Sequence, residues 1–503
     1  MGAARPLLQL LGYVRGHGRY AALTVVFGTA GFLLSFVYPW IIGSAIDLVA
    51  APAPELTAAE RRERLLELTE LAAATGLAQA LVVYGRGHYN VHLGDSIVTD
   101  LRRELFDHLQ KLSVGFYTKQ RTGSILSRIM HDVCGATAII YGGIIVAWMD
   151  ATQLVVAAIL LTTISWKLTL ACAAMFPLYG LVFFRLNPKV REASDRLHDH
   201  FSEISGNVSE KLSGQALIKT FTAEDREARR FAADAHTHHG LVLAQSHLGH
   251  LVAAYGEILV HAGTTIIVGY GTWLALRGEL TVGMLTQFLG YIVILYGPVR
   301  RFAELNITYQ SSLSAMRRVF RVFEISPTVR DLPGAREEPP TEGDVRFEDV
   351  CFRYGNDETA VALDDEGRAS LPPLTPGWVL DGVSLHASAG ERIAVVGPSG
   401  AGKTTLLSLL PRLHDVTTGK ILVDERDVRA YSLRALRSAI AVVQQDSFVF
   451  SGTIFENILY GRDGASREEV IEAAKAAHAH DFVMRFPRAY ETRLGERGVN
   501  LSG

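Results

Sequence analysis

Apolar and polar positions divide the chain into two unlike parts. Up to about residue 300, long runs carry almost no charge; after Phe323 the apolar runs shorten to strand length. Residues 20–46 hold no charged side chain over 27 positions, and a helix crosses a bilayer core with about 20 apolar residues. The run is too long for the apolar region of a signal peptide, and further runs follow it. These are 71–85, 133–166 (interrupted only by Asp150), 168–184, 258–276 and 280–299. Together they predict six membrane helices. Trp166-Lys167 and Arg277-Gly278-Glu279 leave room only for tight turns between neighbouring spans.

The two long connections, 86–132 and 185–247, are polar, basic and helical in pattern. Leu101, Leu105, Leu109 and Leu112 recur at helical spacing. These connections hold sixteen Lys and Arg, seven in the first and nine in the second. The opposite side holds five: Arg61, Arg62, Arg64, Lys167 and Arg277. The excess of basic residues places the long connections and both chain ends in the cytoplasm, with the chain as a multi-pass protein of the cell membrane.

Residues 324–343, rich in proline and charge, read as a linker. From Asp344 onward short β-type runs alternate with helical ones, as in an α/β domain. The organisation predicted is thus a membrane domain over 1–323, a linker, and a nucleotide-type domain over 344–503. Net charge is −3, too balanced to suggest a nucleic-acid partner. Cys134, Cys172 and Cys351 are widely spaced and form no disulfide framework or CxxC pair.

The strongest chemical signal is "RIAVVGPSGAGKTTLLSLL". Residues 393–396 read as a fully apolar strand. Gly397, Pro398, Ser399, Gly400, Ala401, Gly402, Lys403 and Thr404 match G-x-x-x-x-G-K-[ST], and a helix follows. Glycines let the backbone wrap close enough for its N–H groups to face phosphate oxygens. In this pattern Lys403 reaches the β and γ phosphates and Thr404 holds Mg²⁺, with Thr405 beside it.

With these residues the chain resembles the ATP-binding-cassette exporters, as a half-transporter of six membrane helices fused to one nucleotide-binding domain. "FYTKQRTGSILSRIMHDV" and "SEKLSGQALIKTFTAEDREARRF" are similar to the family's two cytoplasmic loops. "VRFEDVCFRY" ends at Tyr354, where the family places an aromatic that stacks on adenine; a packing aromatic at a strand end is the other reading. "AVVQQDSFVFSGTIFENI" resembles the Q-loop, which puts Gln445, or Gln444 in the alternative register, in the position that reaches Mg²⁺ and the attacking water. "LGERGVNLSG" resembles the approach to the signature motif. Ser502 and Gly503 would then face the ATP held by a partner's phosphate loop, and Glu496 would lie in the stretch that touches the membrane domain. The resemblance implies ATP and Mg²⁺ as cofactors, a dimer with an identical or different half-transporter, and an exported substrate that the sequence does not name.

Three departures stand out. Residues 355–378 form an acidic, proline-rich insertion after Tyr354. "LSGQ" at 212–215 mimics the signature within a membrane-domain loop. The chain given stops before the aspartate, glutamate and histidine that follow in the family, so the nucleotide domain is expected to be incomplete, to bind ATP weakly and to hydrolyse essentially none. A second reading is a nucleotide-binding regulator or degenerate subunit that does not turn over. Asp150 is a candidate for substrate contact or for a depth facing other helices. Glu257 and His261 share a helix face and suit a proton or substrate role or a helix–helix bond. Tyr291 and Tyr296 line a cavity or pack, and His236, His238 and His239 read as a solvated face.

Overall fold

The computed structural model describes residues 4–50, 57–120, 122–354, 362–363, 369–370, 377–445 and 448–495. The chain forms two compact units. Of the described residues, one unit comprises 4–50, 57–112, 116–120, 122–326, 362–363 and 369–370; the other comprises 113–115, 327–354, 377–445 and 448–495.

The first unit is helical. Its principal helices are α1 (Ala4–Gly16), α2 (Gly18–Ser35), α3 (Val37–Ala50), α4 (Ala58–Lys111), α5 (Val146–Ala173), α6 (Met175–Ser213), α7 (Glu224–Leu276) and α8 (Val282–Glu324). α4 opens on a capping box, with Thr57 and Glu60 each satisfying the other's backbone N–H. Its 54 residues span about 80 Å at 1.5 Å per residue. A bilayer core is only about 30 Å thick, so most of such a helix must project beyond it. α2 packs along α4, α6 along α7, and α3 along α8.

Local breaks depart from the run-by-run reading. The run 20–46 divides at Phe36, three residues before Pro39, whose missing N–H breaks the helical ladder. The run 71–85 lies wholly inside α4. The run 133–166 begins in short turns, including the π-helical Ala138–Ile145, and ends at Ser165, which is non-helical at φ −159° and ψ 105°. The run 168–184 crosses from α5 to α6 at Ala174. Among the described residues, four stretches are long and apolar enough to cross a membrane: Gly18–Ala50, Ala58–Lys111, Thr122–Ala173 and Glu224–Leu276, with a shorter apolar helix at Val282–Leu295.

Polar contacts pin these helices. Lys167 Nζ donates to Glu279 at 2.6 Å, joining the two tight turns. Asp47 accepts from the Gly283 N–H at 2.7 Å and the Thr281 hydroxyl at 2.5 Å, so the end of α3 caps α8. Asp132 and Arg318 form a two-pronged pair at 2.8 and 2.6 Å. Tyr291 is buried, lies edge-on to Phe36 and accepts a bond from Gln287 at 2.8 Å, which assigns it to packing. The side chain of Tyr296 lies outside the described residues. Glu257 and His261 are exposed and 3.8 Å apart. His238 lies beside His200, while His236 and His239 are exposed. In the "LSGQ" stretch, Ser213 ends α6 and bonds back to the Ser209 carbonyl at 2.9 Å.

In the second unit, β1 (Val345–Phe352), β2 (Leu380–Ala387), β3 (Thr418–Val423) and β4 (Arg426–Asp427) form an antiparallel sheet of order β2-β1-β3-β4. Val345 faces Ala387 on one side and Val423 on the other. Phe347, Val350, Phe352, Ile421 and Val423 bury one face of this sheet against α9 (Lys403–Leu409), which contributes Leu406 and Leu409. A smaller cluster, centred on Ile454, Val470, Val483 and Tyr490, belongs to the helices that follow.

Candidate nucleotide-binding site

The site grows from the junction of the β1–β2 pair with the start of α9. Gly400 and Gly402 have φ of +84° and +85°, a left-handed backbone that favours glycine. Gly402 caps α9. A Cβ there would meet the Val379 carbonyl and a Leu380 methyl at 3.0 Å each, so the glycine also lets the loop close on β2. Open space surrounds the Cβ position of Gly400.

Lys403 folds back over this loop. Its ammonium donates to the carbonyls of Gly397 and Pro398, both at 2.8 Å. The charge is therefore held against the loop backbone, where a phosphate would compete for it. Thr404 is exposed and Thr405 buried, so the two hydroxyls have different tasks. The Thr405 hydroxyl meets the Tyr354 hydroxyl at 3.0 Å. This contact fixes the aromatic over the first turn of α9.

The Tyr354 ring is held on its other sides by Phe352 at 4.9 Å and His414 at 5.4 Å, both edge-on. It remains 40% exposed. Packing and an accessible π surface therefore coexist at this residue. His414 carried no sequence signal: it lies 60 residues downstream of Tyr354 in an irregular segment. Nearby, the Arg353 guanidinium lies 5.2 Å from the centre of the Trp378 ring.

Two expectations meet a different local structure. The strand foreseen at 393–396 makes no ladder hydrogen bonds among the described residues, and Val396 is 86% exposed. An apolar run becomes a strand only when a neighbour takes its N–H and C=O groups. Gln444 and Gln445 are both exposed at the end of a similarly unladdered stretch. Glu496, Ser502 and Gly503 lie outside the described residues. No group of three or more His, Cys, Asp or Glu side chains suited to a metal occurs among the described residues.

A buried arginine supports the site from below. Arg412 is 1% exposed and left-handed at φ +52°. It grips Asp415 with two bonds of 2.8 and 3.0 Å and donates to the Arg330 carbonyl at 3.2 Å. Arg437 in turn donates to the carbonyls of Pro411 and Arg412. These bonds fix the chain that runs from α9 to His414. Nothing in the spacing of these residues marks them in advance.

Residues 22–299 match the family described as the ABC transporter transmembrane region, and residues 380–503 match the family described as ABC transporter. A putative multidrug export ATP-binding/permease protein of Bacillus subtilis is 34% identical, with the match covering 100% of this chain and 83% of that protein. A protein of the same description from Staphylococcus aureus is also 34% identical, over 98% of this chain and 82% of its own length. The solved structure of a bacterial Atm1-family ABC exporter with ATP bound superposes with a TM-score of 0.75 at 27% identity, covering 97% of this chain and 82% of that one. A helical membrane region fused to a phosphate-loop domain, matched along nearly its whole length by such relatives, places this chain in the ABC exporter family of ATP-driven transporters.

Proposed function

We propose that the chain is one half of a dimeric exporter that crosses the cell membrane six times, with both ends and the nucleotide domain in the cytoplasm. ATP would lie on the loop from Gly397 to Gly402, with Lys403 on its phosphates and Tyr354 against its base. The residues present fit this ligand: left-handed glycines, a cation already turned onto the loop, and an accessible ring tied to Thr405. Thr404 and Gln445 would hold Mg²⁺ together with phosphate oxygens, and the ion would neutralise charge on the phosphates. Gln445 would also orient the attacking water, while Ser502 and Gly503 would contact the ATP held by the partner half.

The observation that carries this reading is Lys403, held by two carbonyls of its own loop. Its exchange onto a phosphate replaces neutral acceptors with a charged one. Lys403→Ala removes charge-assisted bonds worth about 1.5–3 kcal/mol, or roughly ten- to a hundredfold in affinity. A fluorescent-nucleotide titration of the purified protein measures it, and unchanged affinity would refute the assignment. The six-span topology has its own test. In a cysteine-free background, a cysteine at Gly278 should react with an impermeant label from outside, and one at Arg226 should not.

A further inference from the structure

A ring that is to stack on a base needs its plane fixed as well as its place. The Tyr354 hydroxyl lies 3.0 Å from that of Thr405, which settles where the tip of the ring sits. That oxygen is on the axis of rotation about Cβ–Cγ, so the bond leaves the ring free to turn about a torsion that is broad in aromatic side chains. The plane is set by what stands against the flanks of the ring. Phe352 and His414 stand there, with ring planes at 84° and 90° to that of Tyr354. The charge distribution of the rings favours such perpendicular contacts, and a turn of Tyr354 would spoil both. Phe352 also meets His414, with ring centres 5.7 Å apart, so the three rings hold one another. Phe352, 4% exposed at the end of β1, is the fixed corner. His414 comes from the irregular segment after α9 and is held from behind. The buried Arg412 takes both oxygens of Asp415, which closes the chain around Leu413 and His414.

We propose that His414 is a positioning residue for nucleobase recognition. Its ring holds the plane of Tyr354, and Tyr354 in turn stacks on the base, so ATP affinity depends on a histidine that acts through a tyrosine. The inference rests on Tyr354 as the base contact and adds the residue that orients it. The effect is confined to the base. Lys403 is oriented by the carbonyls of Gly397 and Pro398, so the phosphate end of the site does not depend on His414. What the position requires is a flat ring against the flank of Tyr354; the proton chemistry of an imidazole is not needed there.

The test uses the full chain in nanodiscs and calorimetric titration with two probes: MgATP, and magnesium tripolyphosphate, which has the phosphates without the base. Tyr354→Ala should weaken ATP about fivefold or more. His414→Ala should weaken ATP by about three- to tenfold, a large part of the worth of one base on an aromatic. Neither change should move tripolyphosphate by more than about twofold. His414→Phe, which keeps a flat ring, should bind ATP within about twofold of the parent. The double variant Tyr354→Ala/His414→Ala should bind ATP no more weakly than Tyr354→Ala alone, because a residue that acts through the tyrosine loses its effect with it. Equal losses for both probes in His414→Ala, additive losses in the double variant, or a loss in His414→Phe as large as in His414→Ala would overturn the proposal. Unchanged ATP binding in His414→Ala beside a loss in Tyr354→Ala would overturn it too, and leave the base-stacking reading intact. Unchanged ATP binding in Tyr354→Ala, or none in the parent chain, would instead remove that reading and the proposal with it. Should His414→Ala fail to fold, His414→Leu keeps the volume without the flat ring and carries the same expectation.

Discussion

The nucleotide unit contains the same tetrapeptide twice, Ile-Ala-Val-Val at 393–396 and again at 440–443, and neither copy forms a ladder among the described residues. The run Lys420-Ile421-Leu422-Val423 is no more apolar, yet it is a strand. β3 pairs with β1 on one side and β4 on the other, and Ile421 and Val423 are 1% and 4% exposed. Val396 and Val443 are 86% and 97% exposed. β-propensity is thus permission rather than instruction. A run of branched side chains becomes a buried strand when neighbours satisfy its backbone and cover its face. The two unladdered runs flank the chemistry, since one leads into the phosphate loop and the other into Gln445. The paired sheet instead carries Tyr354 and the wall against which Gly402 closes.

The largest expected effect tests that contrast directly. Ile421→Ala should cost about 2–5 kcal/mol, because it opens a cavity in a closed core. Val443→Ala in the same chain should cost less than about 0.5 kcal/mol, as surface changes do. Chemical unfolding of the two variants, followed by fluorescence, compares them. A loss at Val443 equal to that at Ile421 would show that the run is covered in solution, and the contrast would fail.

A middle-sized effect separates the two tasks of Tyr354. Tyr354→Phe removes the bond to Thr405 and should cost about 0.5–1.5 kcal/mol in stability, with ATP affinity changed by less than about threefold. Tyr354→Ala also removes the ring and should lower ATP affinity by about 1–3 kcal/mol, the usual worth of a base on an aromatic. Nucleotide titration and thermal melting on both variants distinguish them. Equal affinity losses would mean that the hydroxyl, and not the ring, organises the site.

What was legible in the sequence was local. The phosphate loop announces itself because eight consecutive residues fix the glycines, the lysine and the hydroxyl together. The membrane runs announce themselves because twenty apolar residues have few soluble uses. The turn near Trp166-Lys167 was readable from its polarity, and Ser165 breaks the helix there. The break at Ala174 was not, since it interrupts an apolar run without a change of composition. Contacts between distant positions were silent too. Asp47 caps a helix that begins more than two hundred residues later. Arg412 and His414 look like ordinary polar residues until the fold buries one and sets the other against Tyr354. The left-handed pair Asp424-Glu425 lacks the Asn-Gly or Asp-Gly signature of a two-residue hairpin turn.

That turn supplies the smallest effect, at the edge of the paired sheet. Asp424 and Glu425, at φ +50° and +62°, join β3 to β4. The strain of left-handed carboxylate residues is offset because the Asp424 carboxylate accepts from four successive backbone N–H groups, Thr341 to Asp344, at 2.7–3.1 Å. Partial burial of Asp424 opposes its ionisation, but the four donors outweigh it and hold its pKa below the ordinary carboxylate value. A lowered folded pKa means that the unfolded chain binds a proton first as pH falls. The carboxylate's contribution is therefore whole above the unfolded value, near 4, and drains away as pH drops through the folded one. Asp424→Asn should lower the melting temperature slightly at pH 7, and this difference should shrink as pH falls below about 4. Melting curves for both proteins from pH 7 to pH 3 measure it. A difference that stays constant across that range would mean that the turn is held by shape alone, and that the linker adds nothing to the closure of the paired sheet.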